Sequence, residues 1–240
     1  MDSRAKKTFV CFDLETTGLE PKNDLIIEVA LSIFTLEGEI DSFETLIDPG
    51  RPIPIESTRI HNICDQDVAG KPKIEDVLPK ILALIGNHTI VGHMISTDIA
   101  FLQAAAAKQH IVWNPSNAII DTFRLARLYG ESSDNSLQTL RDHLDIPATV
   151  AHRAMPDVQV NVAVFKKMVQ KPEYQDIDGL IKLLQSPIML KRMPLGKHKG
   201  KFFDDLPLDY LTWMQQWKFD ADLTFSIKET RKKLKNNLSS

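Results

Sequence analysis

The chain has 240 residues, with 29 Lys plus Arg against 32 Asp plus Glu, a formal net charge of −3 and an apolar fraction of 43%. With 10 Gly and 13 Pro, this composition excludes wholesale disorder, collagen-like repeats and a disulfide-stapled miniprotein, and the length is ample for a core. No apolar run reaches the roughly 18 to 20 residues of a membrane span, Cys11 and Cys64 make no metal-type pair, and the first seven residues lack a signal-peptide core, so a reducing, cytoplasmic setting is expected. A slightly acidic chain lacks the basic footprint usual in nucleic-acid binders. The charge is unevenly spread, however: residues 191–240 hold 11 Lys plus Arg and 6 Asp plus Glu, net +5, which leaves −8 for residues 1–190.

In chain order, residues 8–14 read as a strand ending at Thr16-Thr17-Gly18. Two further β-branched runs, 25–36 and 39–47, join through a turn at Glu37-Gly38. Pro49, Pro52 and Pro54 then enforce an extended loop. Residues 74–85 show helical periodicity, with Pro79 expected to kink or restart the helix. A short strand at 89–92 precedes an alanine-rich helix at 98–108, and another strand at 118–121 precedes helices at 122–129 and 136–144. A last helix spans 156–169, with proline at its first turn. A meander followed by alternating helices and strands predicts an α/β fold with a mixed central sheet. The charge shift, with breaks at Lys171-Pro172 and Ser186-Pro187, divides the chain into a domain at 1–172, a linker at 173–192, a small α+β module at 193–227 and a basic, fraying tail at 228–240.

Asp13 and Glu15, in Phe12-Asp13-Leu14-Glu15, lie two apart on a strand and so share a face. Two carboxylates that close repel unless a cation lies between them, and hard oxygen ligands suit Mg²⁺ or Mn²⁺. Taken singly, each acidic feature has an ordinary explanation. A bare Asp-x-Glu is usually a pair of exposed acids, Asp98 after Gly92-His93-Met94 could cap a helix, and His152, five residues before Asp157, could be a surface histidine. Together, the ordered set Asp13, Glu15, Asp98, His152 and Asp157 resembles the DEDDh class of DnaQ-like 3′–5′ exonucleases. Phe12-Asp13-Leu14-Glu15-Thr16-Thr17-Gly18 is similar to that family's first motif, Val91-Gly92-His93 with Asp98 to its second, and Ala151-His152-Arg153-Ala154 with Asp157 to its third. Two positions depart from it: Met94 stands where Asn often follows Gly-His, and Thr97 precedes the Asp where an apolar or aromatic residue is common.

The resemblance implies an RNase H-like fold and hydrolysis of single-stranded or frayed DNA from its 3′ end, releasing nucleoside 5′-monophosphates, in proofreading or repair. It implies two divalent cations, Mg²⁺ or Mn²⁺, with Asp13 bridging both, Glu15 and Asp157 on the nucleophile side, Asp98 on the second ion, and His152 taking the proton from water. It places Leu14, Thr16, Thr17 and Gly18 under the terminal nucleotide and His61 beside its base, and offers Phe101 as a stacking surface or, equally, a core phenylalanine. His93 reads as structural. RNA 3′-end trimming and a catalytically silent nucleic-acid-binding module beside a polymerase are the competing functions.

Basic residues around Gly200-Lys201 interleave with Phe202, Tyr210, Trp213 and Trp217, which fits a packed module with solvated lysines or, second, a single-strand surface. Gly200-Lys201-Phe202 lacks the Ser or Thr of a phosphate-binding P-loop. Gln185-Ser186-Pro187-Ile188-Met189-Leu190 loosely resembles the Gln-led peptide that bacterial sliding clamps bind. A replicative polymerase subunit is the other expected partner.

Overall fold

The computed structural model describes residues 7–129, 132, 134–147, 152–170 and 176–238; Ala151 and the Lys171-Pro172 break lie outside them. Strand β1 (Phe9–Thr16) pairs antiparallel with β2 (Ile26–Phe34), which pairs antiparallel with β3 (Glu39–Leu46). Helices α1 (Ile55–His61), α2 (Asp65–Val68) and α3 (Ile74–Ile85) lead to β4 (Thr89–Gly92), then α4 (Ser96–Lys108) and β5 (Ile119–Asp121). Both β4 and β5 run parallel to β1, giving the sheet order β3-β2-β1-β4-β5. Helices α5 (Thr122–Tyr129), α6 (Leu137–His143) and α7 (Ala154–Val169) follow. The mixed sheet flanked by helices is the α/β, RNase H-like architecture expected from sequence. The short helices α1 and α2 were not anticipated, and α3 runs through Pro79 without a break.

Strand alternation sorts β1 between two apolar clusters. Val10, Phe12 and Leu14 face α3 and α4 with Leu78, Ile81 and Leu102. Phe9 and Cys11 face the other way, against Val158, Val164 and Phe165 of α7. Asp13 and Glu15 extend this second face beyond the core, so they point toward the α7 N-terminus.

The segment expected as a linker folds into the second cluster. Helix α8 (Ile177–Leu184) buries Ile177, Leu180, Ile181 and Leu184 there, and Ile188 and Leu190 follow them at 2% and 1% exposure. Spacing i, i+3, i+4, i+7 makes one apolar helical stripe, which must find a core. The clamp-peptide resemblance fails for the same reason, because its apolar anchors Ile188 and Leu190 lie inside the protein. Helices α9 (Leu208–Met214) and α10 (Ala221–Leu238) complete the C-terminal part, which holds an isolated bridge between Arg192 and Phe202 where an α+β character was expected. The lysine-rich stretch from Lys228 continues α10 as helix, with Thr230 fully buried.

Asp222 of α10 fastens this part to α5 and to the chain that follows α8. It is 4% exposed and accepts Arg124 Nε–H and Nη2–H of α5, each at 2.8 Å, and the Ile188 N–H at 3.0 Å. Among the described residues no helix is long and apolar enough to cross a membrane. Because one cluster runs from Phe9 to Ile227, the chain is expected to unfold in urea as a single transition. Asp222→Ala, which removes the buried carboxylate shared by Arg124 and the Ile188 N–H, should lower that whole transition by about 1–3 kcal/mol. Two separate transitions would contradict the shared core.

Candidate active site

Carboxylate oxygens of Asp13, Glu15 and Asp157 lie within 4.8 Å of one another at the C-terminal end of β1. Asp157 sits in the first turn of α7, where its Oδ2 accepts the His152 N–H at 3.0 Å. Its Oδ1 is buried and has no hydrogen-bond partner among the described residues. Asp98, in the first turn of α4, approaches from the opposite face, and its Oδ1 accepts the Leu14 N–H at 3.1 Å, between the two acids of β1. His152 lies exposed at the mouth, in the left-handed backbone region at φ 58°. Three of the five expected residues thus cluster, Asp98 stands next to them through the Leu14 N–H, and His152 joins through its own backbone.

The electrostatics are those of an acid cluster lacking counter-charge. Burial, then the neighbouring Asp98 and Glu15, pushes Asp13 well above the usual carboxylate range. Burial, then Glu28 and Asp157, lifts Glu15 to about 8. Burial lifts Asp98 to about 7 and raises Asp157 against the opposing His152 hydrogen bond. A buried carboxylate oxygen without a partner, beside two further acids, is a donor set suited to a hard divalent cation. Asp13, Glu15 and Asp157 are therefore the residues fit to hold one, with Asp98 adjacent.

Sequence reasoning missed the clamp that fixes this pocket. Glu28 of β2 pairs directly across from Glu15 and is only 5% exposed. Arg153 spans both its oxygens, with Nη2 to Oε1 at 2.7 Å and Nε to Oε2 at 3.1 Å, and the Ala154 N–H donates to Oε2 at 3.0 Å. This ties β2 to the start of α7 and so sets Asp157 against Glu15. A charged residue in the middle of an apolar β2 run was the available signal, since buried acids need partners.

The expected nucleotide contacts fare unevenly. Thr16 donates its hydroxyl to the Gly18 carbonyl at 2.6 Å. Thr17 is 2% exposed, and its Oγ1 accepts the Leu25 N–H at 3.0 Å and Arg51 Nη2–H at 3.0 Å. A Cβ on Gly18 would come within 2.4 Å of the Asp24 carboxylate, so that close approach requires glycine. Leu14 is 9% exposed, with its side chain in the core. His61 is buried, its Nδ1 accepting the Ile63 N–H at 3.0 Å while Nε2 has no partner among the described residues. Phe101 is 3% exposed because the inner face of α4 packs on the sheet, so it is a core residue and offers little ring for stacking. His93, lowered by burial to about 4, lies 3.1 Å from Thr122 Oγ1 and is structural, as expected. Met94 adopts φ 56°, a left-handed conformation that Asn tolerates better, and its N–H donates to Asp121 Oδ1 at 3.1 Å.

Comparison with known proteins identifies the family and the fold. A family model described as "Exonuclease" matches residues 10–165, and a second, described as a putative quorum-sensing-regulated virulence factor, matches residues 179–226. The PolC-type DNA polymerase III of Clostridium perfringens (strain 13 / Type A) is 35% identical over 193 residues, covering 78% of this chain and 13% of that protein. That of Bacillus subtilis (strain 168) is 36% identical over 167 residues, covering 69% of this chain and 12% of that protein. The chain thus spans about an eighth of the length of these relatives. An exonuclease X in complex with 5′ overhanging duplex DNA superposes with a TM-score of 0.55 at 24% identity, covering 72% of this chain and 99% of its own. The zinc-bound E. coli ExoI–ssDNA complex gives 0.66 at 19% identity, covering 74% and 43%. At these identities the two structures speak to the fold.

Raised carboxyls make a definite pH dependence. The folded protein keeps protons that the unfolded chain releases above about 4, so the metal-free protein should lose stability as pH rises toward the folded values of about 7 and about 8. Divalent cations replace those protons. Thermal unfolding should therefore show Mn²⁺ raising Tm over an EDTA control more at pH about 8 than at pH about 5. A pH-independent Tm in EDTA, unmoved by Mn²⁺, would contradict this.

Proposed function

The chain belongs to the exonuclease family, and from that premise we propose that it is a metal-dependent 3′–5′ exonuclease acting on single-stranded or frayed DNA ends, in proofreading or repair. The observation that carries the reading is the cluster of Asp13, Glu15 and Asp157 within 4.8 Å, with a partnerless buried oxygen on Asp157. The polymerase context is supported by the PolC-type relatives.

Phosphodiester hydrolysis needs a nucleophile at neutral pH and a neutralised charge on the phosphate and leaving 3′-oxygen. Divalent cations, when bound, supply that positive charge and the acidity that activates water. Asp13, Glu15 and Asp157 would hold them, with Asp98 contributing from α4. His152 accepts the proton of the attacking water on its ring while its N–H holds Asp157 in place. One residue thereby couples the base to a ligand. The Glu28–Arg153 clamp keeps the two carboxylate-bearing elements in register. The backbone from Leu14 to Gly18, which ends β1 beside the carboxylates, would support the terminal nucleotide, while the buried Thr17 and His61 stand behind it.

With Mg²⁺ or Mn²⁺, a 5′-labelled DNA oligonucleotide should shorten stepwise and release nucleoside 5′-monophosphates, with a mismatched primer end cut faster than a paired one. Asp13→Asn and His152→Ala should each lower kcat at least about 100-fold while leaving the far-UV circular dichroism unchanged. Release of the 5′ label as the first product would overturn the polarity, and faster cutting of an RNA strand would overturn the DNA assignment.

A further inference from the structure

The aromatic face of the C-terminal part takes no role in the reaction above. A groove of about 770 Å³ runs beside α9 and the turn that follows it. Three of its rings form a ladder: Tyr210 to Trp213 is 5.8 Å between centroids and Trp213 to Trp217 is 5.9 Å. Trp213 and Trp217 are 49% and 59% exposed, an unusual amount of indole to leave in water. Lys197 Nζ lies 5.3 Å from the Tyr210 ring centroid, and Lys218 lines the other side, with Asp209 as an acid on the rim.

Unmet hydrogen-bonding groups lie at the Tyr210 wall of the groove and directly behind it. Tyr210 is 5% exposed, and its buried hydroxyl has no partner among the described residues. His198 packs edge-on against the same ring at 4.5 Å, and both its nitrogens are buried and partnerless. Gly196, at φ 72°, lets the backbone approach that hydroxyl, where a Cβ would come within 2.7 Å. A buried polar group without a partner is costly to leave unmet, so these groups mark a place for a ligand with its own polar edge.

We propose that this groove is a second nucleic-acid site, binding single strands by stacking bases on Trp213 and Trp217 with Lys197 and Lys218 on the phosphates. A flat ring with a hydrogen-bonding edge and an attached negative charge meets all three features together: the aromatic ladder, the Tyr210 and His198 polar atoms, and the lysines. The +5 charge of residues 191–240 supports the same ligand. A protein ligand would use the rings but has no need of the flanking positive charge.

The test uses the full chain in EDTA, where strand binding is read without cleavage, by the fluorescence anisotropy of a labelled oligothymidylate. Trp213→Ala with Trp217→Ala should weaken binding about tenfold or more. Lys197→Gln with Lys218→Gln, both at exposed positions, should lower the slope of log K against log salt by about 1.4. Hydrolysis of the 4-nitrophenyl ester of thymidine 5′-monophosphate with Mn²⁺, which releases nitrophenolate, reads the carboxylate site separately and should be unchanged in both variants. Equal strand affinity for the unmodified protein and the tryptophan variant, or an unaltered salt slope in the lysine variant, would overturn the proposal.

Discussion

Mutual repulsion among Asp13, Glu15, Asp98 and Asp157 is the constraint that the surrounding structure exists to contain. Carboxylates this close, half-buried, oppose one another's ionisation, and the folded chain holds them together only because each is anchored elsewhere. Asp13 and Glu15 are fixed by β1, whose preceding residues Phe9 and Cys11 are wholly buried. Asp98 is held by the Leu14 N–H and Asp157 by the His152 N–H. The Glu28–Arg153 pair then sets the distance between strand and helix, placing one balanced charge pair directly behind an unbalanced cluster. A cation is the partner such a cluster requires.

The C-terminal part continues the same core. Its apolar residues share a cluster with α7, and Asp222 gathers Arg124 and the Ile188 N–H into one buried knot. Arg124 follows Asp121 on α5 by three residues, and Asp121 supports the Met94 turn that leads into α4 and Asp98. The catalytic face and the basic appendage are therefore joined through α5.

The sequence disclosed whatever depended on local pattern. Period-two alternation placed Asp13 and Glu15 together, and the strands and long helices emerged within a few residues because their apolar spacing is strong. What escaped depended on partners far along the chain. Glu28 acquires its meaning only from Arg153, 125 residues away. Helices α1 and α2 are short, follow a proline-rich stretch and have little apolar stripe to announce them. Helix α8 was written in its spacing but hidden by the neighbouring prolines and the charge shift, which suggested a linker. Phe101 resolves to the core alternative of its two readings, and the apolar residues Ile188 and Leu190 of the clamp-like hexapeptide are likewise core. Net charge misled at first: the acidic excess contains the four site carboxylates, while the C-terminal fifth is basic.

The carboxylate cluster has the donor set of a divalent-metal site. Anomalous scattering from crystals soaked in Mn²⁺ tests it most directly. Manganese density should lie in contact with Asp13 and be shared with Glu15 and Asp157, a second peak should reach toward Asp98, and both should vanish in Asp13→Asn. Manganese absent from Asp13 in the unmodified protein, while occupying other surface carboxylates, would contradict the claim.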